Sequence, residues 1–321
     1  MEVSTAEPQS HQPFVSVIIS TRRRRERLRE CLLSLAAQTY RRDGWELIVV
    51  EDGDTEPLDD GLTSLREQLP LRWFRVSHAG CGGAKNAGAW QAQGQYLVFT
   101  DDDCRFSPEW LSQYGRYFER APDGLVAGGA TNPRTDNPYS DASQELVNYL
   151  LSRMNPSSAN ATLAIGNNFG VPARGFRELG GFNSAYFPMG GEDRDFAAAW
   201  VASGRQIVWA PDIVVQHAQE LTFRSFLRQQ FHYGRGAYIF HKLDAARRRS
   251  SVKLAPPAFY FFLLCWPWSV RSGAAAARTA MLFLCSQAAH AAGYVSAFTL
   301  TRRDGETRMA QAIASMTAVD I

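Results

Sequence analysis

Residues 80–103 read GCGGAKNAGAWQAQGQYLVFTDDD and decide the fold class. Within them, Gly83–Gln93 has the pattern of a helix, and Tyr96–Thr100 is a run of apolar, β-branched and aromatic residues that predicts a buried strand. Three consecutive carboxylates, Asp101–Asp103, follow that strand. In open α/β sheets, ligands bind beyond the carboxyl ends of the strands. The stretch therefore predicts an α/β fold with an acidic cluster at its ligand-binding edge.

The same alternation extends towards the N-terminus. Three more apolar runs flanked by turn residues predict strands at Val15–Ile19, Glu46–Val50 and Leu71–Val76. Between them, Glu26–Gln38 and Leu58–Gln68 have helical spacing of their apolar residues. Strands that alternate with helices require right-handed crossovers and a mostly parallel sheet covered on both faces. We therefore expect a central parallel sheet flanked by helices.

Composition and charge exclude several classes of protein. The 321 residues are 45% hydrophobic and 21% charged, which excludes disordered and fibrous chains. The formal net charge is only +2, so no nucleic-acid partner is expected. The five cysteines lack C-x-x-C spacing, which argues against a zinc ribbon and favours a reducing compartment. Residues 1–12 are polar without an apolar signal segment, and they predict a flexible tail on a cytoplasmic protein.

A change of composition near residue 130 predicts two halves, 13–130 and 131–241. The second half opens with the Pro-, Asn- and Asp-rich sequence TNPRTDNPYSD, which is typical of a loop. Fewer strands are expected here than in the first half. The predicted elements are helices at Ala142–Arg153, Glu192–Ser203 and Thr222–His232, and a strand at Gln206–Ala210.

Residues 242–321 predict a basic and apolar helical extension. A basic segment, HKLDAARRRSSVK, precedes two uncharged apolar stretches, Leu254–Val270 and Thr279–Leu300, and the second is long enough to span a bilayer. Arg271 and Arg278 lie between the two stretches and favour an arrangement at the membrane interface over a double span. The alternative is a pair of helices that cover the catalytic core. We expect association with the inner face of the cell membrane.

The acidic cluster Asp101–Asp103 is costly to assemble unless a ligand offsets its charge. A divalent cation that bridges protein oxygens to a diphosphate would do so. The alternative is a solvated acidic turn. The neighbouring strands end in polar groups as well: Ser20 and Thr21 after the first, and Glu51 and Asp52 after the second. Lys85, in the glycine-rich GCGGAKN segment, could meet a phosphate, although the chain has no P-loop or Rossmann glycine pattern behind its first strand.

A second set of candidate residues lies far along the chain. Gly190 and Gly191 let the backbone approach a ligand, and they precede Glu192 and Asp193 at a helix N-terminus, where the dipole favours ionised carboxylates. An ionised carboxylate can act as a base, although acidic residues in a first turn are also common caps. His217, after a predicted strand, is either a metal ligand or a buried core histidine.

Four segments together resemble glycosyltransferase family 2, a family of inverting enzymes with the GT-A fold. They are VSVIISTRRRRERLRECLLSLAAQTY, WELIVVEDGDTE, GCGGAKNAGAWQAQGQYLVFTDDD and GGFNSAYFPMGGEDRDF, in the order that the family shows. The resemblance covers roughly residues 13–241. It implies a single GT-A-like domain in which 13–130 binds the nucleotide-sugar and 131–241 binds the acceptor.

The resemblance also implies roles for individual residues. Asp52 is expected to contact the nucleobase, and Asp193 to deprotonate the acceptor hydroxyl, with Glu192 and Gly191 binding the acceptor. The metal, Mn²⁺ or Mg²⁺, is expected on Asp103, Asp101 and His217. The expected nucleotide-sugar site comprises Ser20, Thr21, Arg22, Glu51, Asp52, Lys85, Asp101 and Asp102.

The implied reaction moves a sugar from a nucleoside-diphosphate sugar, expected to be UDP-linked, to a hydroxyl of a glycan, lipid-linked or small-molecule acceptor in glycan or polysaccharide synthesis. The sequence departs from the family where TRRRR replaces Thr-Tyr-Asn-Arg, and where QQFHYGR stands in place of the Gln-x-x-Arg-Trp of processive synthases, which favours transfer of one sugar. Two alternatives stay open: a nucleotidyltransferase acting on sugar phosphates, and a non-catalytic relative that binds sugar nucleotides.

Overall fold

Eight strands form one sheet in a computed structural model that describes residues 12–53, 64–133, 136–186, 188, 190–252 and 255–303. The strands are β1 Val15–Thr21, β2 Trp45–Asp52, β3 Leu71–Val76, β4 Tyr96–Asp101, β5 Cys104–Arg105, β6 Leu125–Thr131, β7 Asn168–Pro172 and β8 Ile207–His217. Their order across the sheet is β3-β2-β1-β4-β7-β6-β8-β5.

The sheet is mostly parallel. The pairs β3–β2, β2–β1, β1–β4 and β6–β8 run parallel, whereas β4–β7, β7–β6 and β8–β5 are antiparallel. Every residue of β2 is buried, as a strand covered on both faces requires. The predicted class, an α/β domain with a mostly parallel central sheet, is confirmed.

Ten helices accompany the sheet in the described residues: α1 Arg25–Ala36, α2 Gly80–Gln91, α3 Trp110–Arg120, α4 Pro138–Met154, α5 Ala173–Glu178, α6 Glu192–Ala202, α7 Phe223–Arg247, α8 Pro257–Cys265, α9 Pro267–Val270 and α10 Gly273–Arg303. Strand β1 shows how they form two layers, because Val17 and Ile19 pack with α1 and α3 whereas Ile18 packs with α2, α5 and α6. This packing leaves the carboxyl ends of β1, β2 and β4 at one edge.

Several elements differ from the predictions. The helix predicted at Leu58–Gln68 lies largely outside the described residues, and Ser64–Arg66 forms only a 3-10 turn. Strand β8 continues past Ala210 because its pairing with β6 resumes after an irregularity between Ala127 and Gly129. The predicted division at residue 130 falls inside β6, and the division at residue 241 falls inside α7, which is one continuous helix.

The predicted helical extension is present, and its helices pack onto the α/β domain, as in the alternative of a pair of covering helices. Helices α7 and α10 approach closely through glycines: a Cβ on Gly293 would lie 2.0 Å from the carbonyl oxygen of Phe231, and one on Gly234 would lie 1.9 Å from that of His290. Before α10, Arg271 forms an ion pair of 2.6 Å with Asp141 of α4.

Within the part of the chain that the structure describes, no helix is both long enough and apolar enough to cross a membrane. The apolar stretch Thr279–Leu300, which has the length of a span, does not qualify as one. Gln287 and His290 interrupt the apolar run, and one side of α10 is buried against its neighbours through residues such as Phe283.

Adding a methyl group at the α7–α10 crossing tests this packing. Gly293→Ala should lower the free energy of unfolding by about 2 kcal/mol, because the new Cβ forces two backbones apart. Ala291→Leu, on the exposed side of α10, is the control and should change stability by less than about 0.5 kcal/mol. Urea unfolding measures both, and a Gly293→Ala protein as stable as the parent would contradict the close crossing.

Candidate active site

A cleft of about 1600 Å³ opens at the carboxyl ends of β1, β2 and β4. Most of the predicted site residues line it: Ser20, Thr21, Arg22, Glu51, Asp52, Asp101, Asp102, Asp103, Glu192 and His217. Lys85, Gly191 and Asp193 are not among its lining residues: Lys85 donates to Asp101, which lines the cleft, and Gly191 and Asp193 flank Glu192 in the chain. The fold thus brings the donor-side and acceptor-side candidates, which are far apart in sequence, to one cavity.

The three consecutive aspartates are held by different partners. The Nζ of Lys85 donates to Asp101 at 2.6 Å, and Thr21 Oγ1 donates to Asp102 at 2.7 Å. Arg24 lies 3.1 Å from Asp102 and 3.5 Å from Asp103. Arg27 lies 3.6 Å from Asp103. Each carboxylate therefore has a cation within ion-pair distance, which offsets their mutual repulsion.

The environments of Asp102 and Asp103 separate their pKa values. Burial raises the pKa of Asp102 to about 6, although Arg24 opposes the shift. Burial also acts to raise the pKa of Asp103, but His217 and the two arginines lower it to about 2. Asp103 is therefore the carboxylate that stays ionised over a wide pH range, as a metal ligand must.

Asp103, Cys104 and His217 each offer one ligand atom, and these atoms lie within 4.8 Å of one another. Oδ1 of Asp103 is buried, and it lies 3.3 Å from Nε2 of His217. The geometry of this contact is not that of a hydrogen bond, so this oxygen has no hydrogen-bond partner. The Cys104 thiol is buried in the core, and burial raises its pKa well above the usual value. Oxygen and imidazole ligands suit Mn²⁺ or Mg²⁺ better than a protonated thiol does.

The predicted metal ligands are thus brought together only in part. Asp103 and His217 face each other, because β5 pairs with β8 in a register that places Cys104 opposite His217. Asp101 instead accepts a hydrogen bond from Lys85 through Oδ1. It is not part of the cluster of possible metal ligands found among the described residues. The residues that best fit a divalent cation are Asp103 and His217.

Asp52 is engaged by protein groups at the end of β2. Its Oδ1 accepts a hydrogen bond from the Ala79 N–H at 2.7 Å, and its Oδ2 lies 2.7 Å from Nδ1 of His78. Gly53 follows with φ of 100°, a conformation that favours glycine. His78 also lines the cleft. The part of the predicted site that would contact the nucleobase therefore offers the imidazole of His78 as well as the carboxylate of Asp52.

Glu192 and Asp193 occupy the first turn of α6, after Gly191 with φ of 107°. The oxygens of Asp193 accept hydrogen bonds from the backbone N–H groups of Gly166 at 2.7 Å and Arg194 at 2.8 Å. Burial nevertheless raises the pKa of Asp193. Burial and the adjacent Asp193 charge raise the pKa of Glu192 to about 7. Both groups have the raised proton affinity that a general base needs.

Sequence reasoning missed several residues of the cleft, among them Arg24, Arg27, His78 and Tyr233. The signal for the arginines was the TRRRR run, which does not say which side chain turns towards the acids. Tyr233 is 41% exposed, and its ring lies beside Gly190, where a Cβ would come within 3.6 Å. Tyr233 forms an aromatic wall next to the acidic pair of α6.

A double-mutant cycle tests the buried ion pair behind the cleft. Lys85→Met should lower the free energy of unfolding by about 2–3 kcal/mol, because Asp101 and the Gly166 carbonyl both lose their buried partner. Adding Asp101→Asn should recover part of this loss, since no unpaired charge remains. Thermal and urea unfolding measure the cycle, and strictly additive effects would contradict a direct pair.

Comparison with known proteins identifies the family. The profile of glycosyl transferase family 2 matches residues 16–180. Glycosyltransferase AglE of Haloferax volcanii is 25% identical over 251 residues, which cover 76% of this chain and 79% of AglE. Validoxylamine A glucosyltransferase of Streptomyces hygroscopicus subsp. jinggangensis is 28% identical over 216 residues, which cover 57% of this chain and 50% of that enzyme.

Solved structures show the same fold. The mannosyltransferase PcManGT from Pyrobaculum calidifontis, in complex with GDP-Man and Mn²⁺, has a TM-score of 0.59 at 19% identity, covering 97% of this chain and 86% of that one. S. aureus TarS 1-349 in complex with UDP has a TM-score of 0.54 at 16% identity, covering 91% of this chain and 92% of that one. With the match over half of its sequence, this chain belongs to glycosyl transferase family 2 and is a glycosyltransferase.

Proposed function

We propose that this glycosyltransferase is a metal-dependent, inverting enzyme that uses a nucleoside-diphosphate sugar as donor and a hydroxyl group as acceptor. One observation carries the proposal: a single cleft joins Asp103 and His217 at one wall to Glu192, beside Asp193, at another. One structural neighbour is a complex with GDP-Man and Mn²⁺ and the other is a complex with UDP, which supports a nucleotide-sugar donor.

On the donor side, Asp103 and His217 would hold Mn²⁺ or Mg²⁺. A bound divalent cation offsets the negative charge that builds up on the leaving diphosphate. Lys85 fixes Asp101 from behind, and Thr21 fixes Asp102, so both carboxylates are oriented before a ligand arrives. Ser20, Thr21 and Arg22 would line the path of the nucleotide, with Glu51, Asp52 and His78 at its base end.

On the acceptor side, Asp193 would take the proton from the attacking hydroxyl, and Glu192 and Gly191 would position the acceptor. Adjacent residues in a helix project about 100° apart, so the two carboxylates cannot both face one hydroxyl. The two backbone N–H groups on Asp193 fix its orientation. The acceptor oxygen would attack the anomeric carbon on the face opposite the diphosphate. The bond between this oxygen and the anomeric carbon forms as the bond from that carbon to the diphosphate breaks, so the anomeric configuration inverts in one step.

For the donor and the acceptor we propose chemical classes rather than individual compounds. We propose a UDP-linked donor, with a GDP-sugar as the alternative to be tested beside it, because the structural neighbours are named with both nucleotides. We propose a glycan, lipid-linked or small-molecule acceptor and a role in glycan or polysaccharide synthesis. The cleft is lined by Tyr233 and Glu192, which supports an acceptor that enters on that side, next to Asp193.

Substituting the proposed base tests the mechanism. Asp193→Asn should lower turnover about 100-fold or more, because no group then accepts the proton, while donor affinity stays within about twofold of the parent. Release of nucleoside diphosphate from a panel of UDP- and GDP-sugars, with water as acceptor, measures turnover. Glu192→Gln is the matched variant. If it abolishes turnover and Asp193→Asn does not, the base is Glu192 and our assignment is wrong.

Metal binding distinguishes the two proposed ligands from the neighbouring thiol. His217→Ala should raise the Mn²⁺ concentration needed for nucleotide binding at least about tenfold, since it removes a ligand. Cys104→Ala should leave that concentration unchanged, because Mn²⁺ prefers carboxylate oxygens to a thiol ligand. Thermal shift with UDP or GDP over a Mn²⁺ series measures both variants. Equal effects of the two substitutions would contradict the assignment.

We also propose that the enzyme acts at the inner, cytoplasmic face of the cell membrane. Helices α8–α10 and their connections carry a C-terminal apolar surface of large exposed side chains: Tyr260, Phe261, Phe262, Trp268, Val270, Met281, Leu284, Val295, Phe298 and Leu300. Exposed apolar groups of this density mark interaction sites. Arg278, also exposed, supports contact with anionic headgroups.

Charge placed on the C-terminal apolar surface should weaken membrane binding. Phe261→Asp combined with Trp268→Asp should reduce co-sedimentation of the full chain with phosphatidylglycerol vesicles at least about fivefold, since these residues are 64% and 55% exposed. Trp90→Asp, at a 48% exposed site on α2, is the matched control and should not change binding. Failure of the parent protein to sediment with vesicles would overturn the membrane proposal.

A further inference from the structure

The cations around the acidic cluster differ in how firmly they are held. The side chain of Lys85 is 3% exposed, whereas that of Arg24 is 51% exposed and lines the cleft. The carboxylates that Arg24 contacts are fixed, since the side chain of Asp102 is 4% exposed and that of Asp103 is 6% exposed. Arg24 is therefore the partner that can swing into solvent while the acids stay in place.

The contacts of Asp102 and Asp103 leave room for such a movement. Thr21 Oγ1 binds the Oδ2 of Asp102, so this carboxylate keeps a partner when Arg24 leaves its Oδ1. Arg24 and Arg27 both contact Oδ2 of Asp103, whereas Oδ1 faces His217. The guanidinium of Arg24 thus lies on the same carboxylate that would bind a cation through its other oxygen.

We propose that Arg24 is a resident counter-cation that leaves Asp102 and Asp103 when the divalent ion and donor bind, and then pairs with the donor diphosphate. This rests on the proposed metal-assisted use of a nucleotide-sugar. A guanidinium beside a metal ligand repels the incoming cation, and its planar donors fit phosphate oxygens in a two-point contact. Free metal should therefore bind weakly, and metal with diphosphate should bind tightly, each strengthening the other.

Calorimetric titration of the parent and three variants tests the exchange. We expect Arg24→Gln to bind Mn²⁺ alone about tenfold more tightly than the parent, because the competing charge is gone. In saturating Mn²⁺ the same variant should bind UDP or GDP, whichever the parent prefers, about tenfold more weakly. Arg24→Lys keeps a positive charge without the two-point contact, so it should bind Mn²⁺ alone as the parent does. Arg29→Ala, an exposed arginine on α1, is the control and should match the parent in both titrations.

Two results would overturn the inference. One is an Arg24→Gln protein whose affinity for Mn²⁺ alone is unchanged or lower, and the other is unchanged nucleotide affinity in Mn²⁺. If the parent binds Mn²⁺ and nucleotide while either result holds, only the role of Arg24 fails and the proposed function stands. If the parent binds neither nucleotide with Mn²⁺, both proposals fall. Melting temperatures without ligand identify a variant that misfolds. If Arg24→Gln does, weaker nucleotide binding by Arg24→Lys in Mn²⁺ supports the inference, and nucleotide affinity equal to the parent's overturns it.

Discussion

The buried ammonium of Lys85 is the contact on which the two walls of the cleft depend. It donates to Asp101 at 2.6 Å and to the Gly166 carbonyl at 2.7 Å, and the N–H of Gly166 binds Asp193. Burial would lower the pKa of Lys85, but the charge of Asp101 raises it overall, so the cation persists in the interior. One cation and one glycine therefore link the acidic cluster after β4 to the carboxylates of α6.

The C-terminal helices are tied to the acceptor wall by backbone contact. A Cβ on Gly236 of α7 would lie 2.1 Å from the carbonyl oxygen of Gly190, two residues before Glu192 of α6. Helix α10 packs on the same α7 at Gly234 and Gly293. Because packed interiors deform little, a displacement of α10 would be transmitted to the loop before Glu192. The C-terminal helices therefore help to position the loop before Glu192, in addition to carrying the C-terminal apolar surface.

The sequence predicted those parts of the molecule whose signals are local. Apolar runs such as Tyr96–Thr100 located the strands, and parallel strands bring Ser20, Asp52 and Asp101 to one edge wherever the helices lie. Which strands pair, and in which register, was not predictable in this way. The register of β5 on β8, which sets Asp103 against His217, depends on chain segments more than a hundred residues apart.

The predicted end of the helix at Thr222–His232 was wrong for a related reason. Helix α7 runs on to Arg247 because Arg247 pairs with the buried Asp195 of α6 at 2.7 Å, a contact that no pattern within residues 222–247 announces. The apolar stretch Thr279–Leu300 has the length of a membrane span, yet its closest neighbours in the structure are other helices of the same chain. The length and apolarity of a stretch do not distinguish a helix that spans a membrane from one that packs, through glycines, against other helices of the same chain.

Anomalous X-ray scattering from crystals grown with Mn²⁺ and a nucleoside diphosphate tests the central claim most directly. The account predicts one strong manganese peak within bonding distance of an Asp103 oxygen and the Nε2 of His217, with the diphosphate on its cleft side. A peak coordinated by Cys104, or by Asp101 without Asp103, would contradict it. So would clear density for the nucleotide with no manganese peak in the cleft.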